Sequence, residues 1–266
     1  MPLPPQNLAA QRLARHIDDN RLYGKAGYKS LDFRCRQMYR DIGPIDGMNM
    51  LDIGGGSGFF SAWAIANGAA KVTNLEPELD GSAAGMLNRF RTLQRLLPAW
   101  KERLIGREKT LQGYDLGDGP FDLILSQSSI NHLDEECCIN LRRSESARET
   151  YLGLLSRIRD SLKPGGWFVV SDASSTNHWN RLGLTPPFAK SIEWHKHQEP
   201  EVWSDLLQQV GFEPVNVRWH LYYPLRHLGP LTANRMFARF TSSKFVATFR
   251  KPAKSRSVWQ ARRAAA

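Results

Sequence analysis

The sequence predicts an α/β domain in which a mostly parallel sheet is covered by helices on both faces. Short apolar runs suited to buried strands alternate along the chain with segments whose apolar residues recur at helical spacing. The clearest helical stripe places Tyr151, Leu154, Leu155, Ile158 and Leu162 on one side, as in a helix packed on a sheet. A glycine-rich turn after the first strand points to the same fold class.

This turn lies within Met50–Ser61 (MLDIGGGSGFFS), which predicts a strand, a tight turn and a helix. Closely spaced glycines allow the backbone amides at the helix start to approach a ligand. The dinucleotide pattern G-x-G-x-x-G does not fit, because its last glycine would fall on Phe59 or Ser61. The stretch therefore predicts a cradle for a different cofactor.

The pattern Asp-x-Gly-x-Gly-x-Gly, formed by Asp52, Gly54, Gly56 and Gly58, resembles the first motif of class I S-adenosyl-L-methionine-dependent methyltransferases. The resemblance runs from about residue 48 to 250. It implies a Rossmann-like, seven-stranded, mostly parallel sheet closed by an antiparallel hairpin. It also implies that the glycine loop receives the methionine part of the cofactor and that Asp52 helps to hold its amino group.

The second strand, Lys71–Glu76 (KVTNLE), ends on a carboxylate 22 residues after Gly54. A carboxylate at this strand end can accept hydrogen bonds from both ribose hydroxyls of a bound nucleoside. Glu76 also matches the second motif of the family. We therefore predict that it binds the cofactor.

Two further cofactor contacts follow from the resemblance. It places the third strand at Thr110–Asp115, with Asp115 meeting the adenine amino group. The fourth strand, Phe121–Ser126, ends at Ser126, the last predicted contact with the cofactor.

Two histidines are candidate bases. The segment 127–133 follows the fourth strand at the sheet edge where ligands bind, and His132 could take a proton from a substrate hydroxyl. His195 lies in the long loop 172–200. The alternatives are that His132 only packs or hydrogen-bonds near the cofactor and that His195 packs at an interface.

No metal is predicted. The three histidines of the long loop, His178, His195 and His197, match no standard zinc spacing. The three cysteines form no Cys-x-x-Cys pair and no disulfide framework, which fits a reducing cytoplasm. No apolar run approaches the roughly 18 residues of a membrane span, and the N-terminus lacks the order of a signal peptide.

The net charge of +10 is unevenly distributed. Residues 214–266 contain eleven Lys and Arg and no acidic residue, whereas residues 1–213 carry 25 basic and 26 acidic side chains. A one-sided excess of positive charge favours an anionic partner. For residues 251–266 alone, a basic and disordered tail is the simpler interpretation.

Three regions are expected. Residues 1–47 form an N-terminal helical cap, residues 48–250 the methyltransferase domain, and residues 251–266 the tail. The closing hairpin carries an insert at 222–243, in which Ala233, Met236, Phe237 and Phe240 share a helical arc opposite Arg235 and Arg239.

The expected function is methyl transfer from S-adenosylmethionine to a small-molecule or glycan-like substrate, at oxygen rather than nitrogen. The sequence lacks the Asn/Asp-Pro-Pro-Tyr segment of amino-methylating DNA enzymes, which argues against methylation of nucleic-acid bases. A nucleic-acid methyltransferase that uses the basic C-terminal region and a non-catalytic, cofactor-binding partner subunit remain as alternatives. The substrate and the oligomeric state are left open.

Overall fold

A computed structural model describes residues 5–77 and 84–253. The helices in these ranges are α1 (Pro5–Asp19), α2 (Gly27–Met38), α3 (Phe59–Ala66), α4 (Met86–Leu96), α5 (Glu135–Asn140), α6 (Glu145–Ser161), α7 (His178–Arg181), α8 (Pro200–Gln209) and α9 (Arg235–Phe240). The strands are β1 (Leu22–Lys25), β2 (Asn49–Ile53), β3 (Lys71–Leu75), β4 (Leu104–Arg107), β5 (Phe121–Gln127), β6 (Leu162–Ala173), β7 (Glu213–Trp219) and β8 (Lys244–Arg250).

Seven of these strands form one sheet in the order β4-β3-β2-β5-β6-β8-β7. Strands β2 to β6 are parallel, and β8 runs antiparallel between β6 and β7. The predicted fold class, including the antiparallel closing hairpin, is therefore confirmed. After β2, the chain adds β3 and β4 on one side of that strand and then β5 and β6 on the other. Open α/β sheets bind ligands in the crevice at such a reversal of strand order.

Both faces of the sheet are buried along its central strands, whereas the edge strand β7 is mostly exposed. Met50 of β2 and Val246 of β8 belong to one core with residues of α1, α2 and α3. Leu51 and Phe245, their neighbours in sequence, belong to a second core with residues of α6 and α8. Alternate strand residues thus face opposite helical layers, as the period-two geometry of a strand requires.

The predicted third strand was wrong in position. The strand that pairs with β3 is Leu104–Arg107, with Val72 opposite Leu104, whereas Leu111–Gly113 forms a turn. In that turn the Gly113 amide donates to the Thr110 hydroxyl at 3.1 Å. Leu111 and Tyr114 are buried at 2% exposure, but they pack as loop residues, and this burial produced an apolar pattern like that of a strand.

The predicted apolar arc of the insert is mostly exposed in the structure. Met236 and Phe240 of the predicted apolar arc are exposed, at 69% and 45%. The arginines opposite them turn towards the domain, where Arg235 and Arg239 both pair with the carboxylate of Glu199. A buried carboxylate therefore orients α9, because its negative charge requires partners.

The predicted disorder of the tail concerns residues that mostly lie outside the described ranges. Within those ranges, no helix combines the length and the apolar character that a bilayer crossing needs.

Candidate cofactor and active site

A cavity of about 840 Å³ opens at the carboxyl edge of the sheet, where β2, β3 and β5 end. This size lies within the roughly 300–1,000 Å³ of small-molecule sites. Its lining combines two glycines, several apolar side chains and a group of charged ones: Ile53, Gly54, Gly56, Leu75, Glu76, Pro77, Met86, Lys109, Thr110, Leu111, Gln112, Ser128, Ser129, His132, Leu133, Glu135, Glu193 and Lys196.

Two glycines of the loop after β2 line the cavity, and they differ in what a side chain at each position would contact. Gly54 has φ +64°, and a Cβ there would lie 2.4 Å from the Cβ of Ser129. Gly56 has φ +54°, but the nearest side-chain atom to its Cβ position is the Met86 sulfur at 3.7 Å. Gly54 therefore permits two loops to approach closely, whereas Gly56 presents bare backbone to the cavity.

Glu76 follows β3 directly and lines the same cavity. Its side chain is buried, and Oε2 accepts a hydrogen bond from the Gly56 amide at 2.8 Å. The carboxylate therefore fixes the glycine loop and also borders the space that a ligand would occupy.

Asp52 is buried below the glycine loop and is not among the cavity-lining residues. Its Oδ2 accepts a hydrogen bond from the Ser61 hydroxyl at 2.6 Å, while Oδ1 has no hydrogen-bond partner among the described residues. Burial raises the pKa of Asp52 to about 7, although the Ser61 hydrogen bond opposes this shift. The structure thus places Asp52 as a support of the loop.

Other sequence-predicted residues also lie off the cavity wall. Gly58 packs against the Phe90 ring, which a Cβ would meet at 2.4 Å. Ser126 is fully buried, and its hydroxyl shares a 2.7 Å hydrogen bond with that of Ser129. Ser129 lines the cavity, whereas Ser126 does not. Asp115 is exposed, and its carboxylate accepts from the Gly117 amide at 3.2 Å. The structure does not bring Asp115 to the cavity.

The two candidate bases are separated by the fold. His132 lines the cavity, and its Nδ1 lies 3.0 Å from Oε2 of Glu135. His195 is exposed and is not a lining residue, whereas its neighbour Lys196 is. Lys196 binds Glu135 at 2.9 Å, and this ammonium is the main reason that the pKa of Glu135 is lowered.

Several lining residues were missed from the sequence. Thr110, Leu111 and Gln112 border the cavity through the turn that was predicted to be a strand. Glu135 and Lys196 come from α5 and from the long loop, and no local pattern joins them. Ser129 had a usable signal, because it lies three residues after the predicted end of the fourth strand, at the sheet edge where ligands bind.

Comparisons with known proteins agree with this geometry. A family model for a methyltransferase domain matches residues 30–217, well over half of the chain. No curated protein matches the sequence significantly.

Three solved structures illustrate the similarity in fold. A SAM-dependent methyltransferase from Aquifex aeolicus is 13% identical, with 94% of this chain and 100% of that chain covered and a TM-score of 0.56. Geranyl diphosphate C-methyltransferase from Streptomyces coelicolor A3(2) is 14% identical, with coverages of 84% and 80% and a TM-score of 0.57. A 1,6-didemethyltoxoflavin-N1-methyltransferase from Burkholderia thailandensis is 19% identical, with coverages of 95% and 92% and a TM-score of 0.50.

The chain belongs to the methyltransferase-domain family, within the class I enzymes whose cofactor is S-adenosylmethionine. The residues present fit that cofactor. Gly56 offers open backbone, Glu76 offers a buried carboxylate, and Leu75, Met86 and Leu111 offer apolar surface within one cavity.

Proposed function

We propose that the protein transfers the methyl group of S-adenosylmethionine to a hydroxyl group of a small-molecule or glycan-like acceptor, with His132 as the base. The observation that carries this proposal is that His132 and Glu135 line the same cavity as Gly56 and Glu76. A proton acceptor and a cofactor cradle therefore border one space.

The cavity residues have separate roles in this reaction. Gly54, Gly56 and Glu76 bind the cofactor, which supplies an activated methyl group on a sulfonium when it is bound. The bound cofactor would donate its methyl group and leave as S-adenosylhomocysteine, and His132 would accept the proton of the acceptor hydroxyl. The protein contributes chiefly by holding the acceptor oxygen in line.

The neighbours of His132 set its tautomer. If Nδ1 carries the proton, it donates to Glu135, and Nε2 can then accept from the Asn131 side-chain amide at 3.3 Å. Both contacts are satisfied only in this form, which leaves the lone pair on Nε2. An acceptor hydroxyl would take the place of the Asn131 amide at Nε2.

Two observations support a small-molecule acceptor. The Streptomyces structure contains geranyl diphosphate and the Burkholderia structure contains 1,6-didemethyltoxoflavin, both small molecules. In addition, Arg218, Arg235 and Arg239, part of the basic last fifth, are engaged by Asp41 and Glu199. These arginines are therefore less available to a nucleic-acid backbone than the sequence suggested.

The test is transfer of labelled methyl from S-adenosylmethionine into a host-cell extract by the purified protein. Label in the small-molecule or glycan fraction, bound to oxygen, is the expected result. Label in RNA or DNA would contradict the proposal and favour the nucleic-acid alternative. Cofactor binding without label in any fraction would contradict it and favour a non-catalytic subunit.

A further inference from the structure

A second group of basic side chains lies at the carboxyl edge of the sheet, beside the methyl-transfer cavity and outside its lining. Lys244 is the first residue of β8 and pairs with Ala173, the last residue of β6. Because β6 separates β8 from β5, Lys244 is displaced by about 10 Å across the sheet from the end of β5. It lies on the same strand face as Val246, which packs in the core formed with α2.

Helix α2 carries Arg34 on a face that is tied to the start of β8. Gln37, one turn after Arg34, uses its side-chain amide to accept from the Leu221 amide at 2.9 Å. The residue before Leu221, His220, donates its backbone amide to the Lys244 carbonyl at 2.9 Å. Residues three apart share one helix face, so this clamp directs Arg34 towards the start of β8.

Arg34 is held against the cofactor loop. Its guanidinium lies 5.3 Å from the centre of the Phe60 ring and 5.8 Å from that of Tyr23. Phe60 is the second residue of α3, immediately after the glycine loop. Arg34 therefore lies beside the first turn of the helix that follows the cofactor cradle.

Within the described residues, neither cation has an acidic side chain in direct contact with it. Arg34 and Lys244 form no hydrogen bond or ion pair through their side chains there, and both are half-buried, so they still reach solvent. The nearby carboxylate of Asp172 is paired with His197 at 3.2 Å. Asp172 also attracts Lys244, but this attraction does not offset the burial of Lys244 and the charge of Arg34. Two cations held near each other in a partly enclosed site are costly.

Burial and the positive charges of this group lower the pKa values of Lys244 and His220. Burial, reinforced by repulsion from Arg34 and opposed by attraction to Asp172, lowers the pKa of Lys244 to about 8. Burial and the same neighbours lower the pKa of His220 to about 3, so His220 is neutral near pH 7. An anion placed between the two cations would relieve the repulsion.

We infer that Arg34 and Lys244 bind an anionic group of the methyl acceptor, a carboxylate or a phosphate, while its hydroxyl reaches His132. This inference rests on the proposed function, because it assumes an acceptor that spans from the methyl-transfer cavity to the α2–β8 edge. It makes the substrate an anionic hydroxylated small molecule. Arginine and lysine suit this task because charge-assisted hydrogen bonds to oxyanions are strong.

The first test is calorimetric titration of the whole protein with sodium phosphate and, separately, sodium acetate at constant ionic strength. Saturable binding of at least one anion is expected. Arg34→Gln and Lys244→Gln should each weaken that binding at least about tenfold, whereas Arg34→Lys should retain most of it. Preference for phosphate or acetate identifies which oxyanion the site takes.

Two exposed cations provide matched controls. Lys29→Gln on α2 and Arg40→Gln just after it also remove one positive charge each. Both should bind the anion within about twofold of the wild-type protein. The inference is overturned if neither anion binds, or if Arg34→Gln and Lys244→Gln bind as the controls do. Thermal unfolding of every variant confirms that it is folded.

A second test separates this inference from the proposed function. The small molecules that receive labelled methyl are divided by anion exchange at neutral pH. Label in the retained, anionic fraction supports the inference, and weaker labelling by Lys244→Gln, seen as a raised KM with little change in kcat, supports it further. Label only in the unretained fraction overturns the inference but leaves the proposed function standing. No label in any fraction contradicts the proposed function, while the titration still decides whether the anion site exists.

Discussion

The backbone amide of Gly56 donates a hydrogen bond of 2.8 Å to Oε2 of Glu76. This contact joins the loop after β2 to the end of β3, the two places at which a nucleoside cofactor is held in open α/β sheets. The same carboxylate therefore shapes the cradle and borders the cavity. Changes at Glu76 should separate these two roles.

Glu76→Gln keeps an oxygen that can accept from Gly56, whereas Glu76→Ala removes both the acceptor and the charge. We expect Glu76→Ala to weaken the binding of S-adenosylhomocysteine by about 10–100-fold, because hydrogen bonds to charged groups contribute about 1.5–3 kcal/mol. Glu76→Gln should fall between that variant and the wild type. Isothermal titration calorimetry measures all three.

Asp115→Ala provides the comparison for this series. Asp115 is exposed and outside the cavity lining, so its substitution should leave cofactor affinity within about twofold. A large loss at Asp115 together with unchanged binding in Glu76→Ala would contradict the assigned site.

Asp52 should make the stability of the cofactor-free protein depend on pH. Its pKa is about 7 in the folded state against an ordinary 3.8, so the folded protein retains a proton that the unfolded chain releases. The contribution of Asp52 to stability therefore falls as pH rises from about 4 to about 7, by up to about 4 kcal/mol. Urea unfolding at about pH 5 and about pH 8 measures the larger part of this loss, about 2–3 kcal/mol.

Asp52→Asn cannot titrate, and its stability should change less between these two pH values than that of the wild-type protein. Asp115→Asn removes an exposed carboxyl and should follow the wild type. Parallel pH dependence in all three proteins would show that Asp52 is ionised in the folded state throughout this range.

His132 and Glu135 should act together in methyl transfer. His132→Asn removes the base and should lower kcat by about 10²–10⁴-fold without changing cofactor affinity. Glu135→Gln keeps the side-chain size but weakens control of the imidazole tautomer, so its effect should be smaller. Initial rates of labelled-methyl transfer, measured across pH, distinguish these effects.

His195→Asn is the matched histidine control, because His195 is exposed and outside the cavity. Its methyl-transfer rate should stay close to that of the wild type. If His195→Asn loses activity and His132→Asn keeps it, the base has been assigned to the wrong histidine.

The central fold could be predicted because its signals are local. Strands β2, β3 and β5 are short apolar runs, and the turn after β2 is marked by glycines. Strand β4 escaped detection because it has only four residues, LIGR, with a glycine and an arginine among them, and its burial decreases along its length. Its outer side forms the sheet edge, where packing constrains the sequence least.

The site could be predicted only where function is tied to a strand end. Glu76 was found because the last residue of β3 and the position after it are fixed by the sheet. Asp115 was assigned from its place at the end of the predicted third strand. The actual strand is Leu104–Arg107, so Asp115 lies in the loop after it and does not line the cavity. The relationship of Arg34 to Lys244 arises when α2 and β8 meet in one core, and no pattern within either segment encodes it.

The most direct test of the account is a crystal structure of the protein with S-adenosylhomocysteine bound. We predict ligand density in the cavity lined by Gly54, Gly56 and Glu76, in contact with the turn that contains Thr110 and Leu111. Density elsewhere, or bound cofactor that touches neither Gly56 nor Glu76, would contradict the site from which the proposed function is derived.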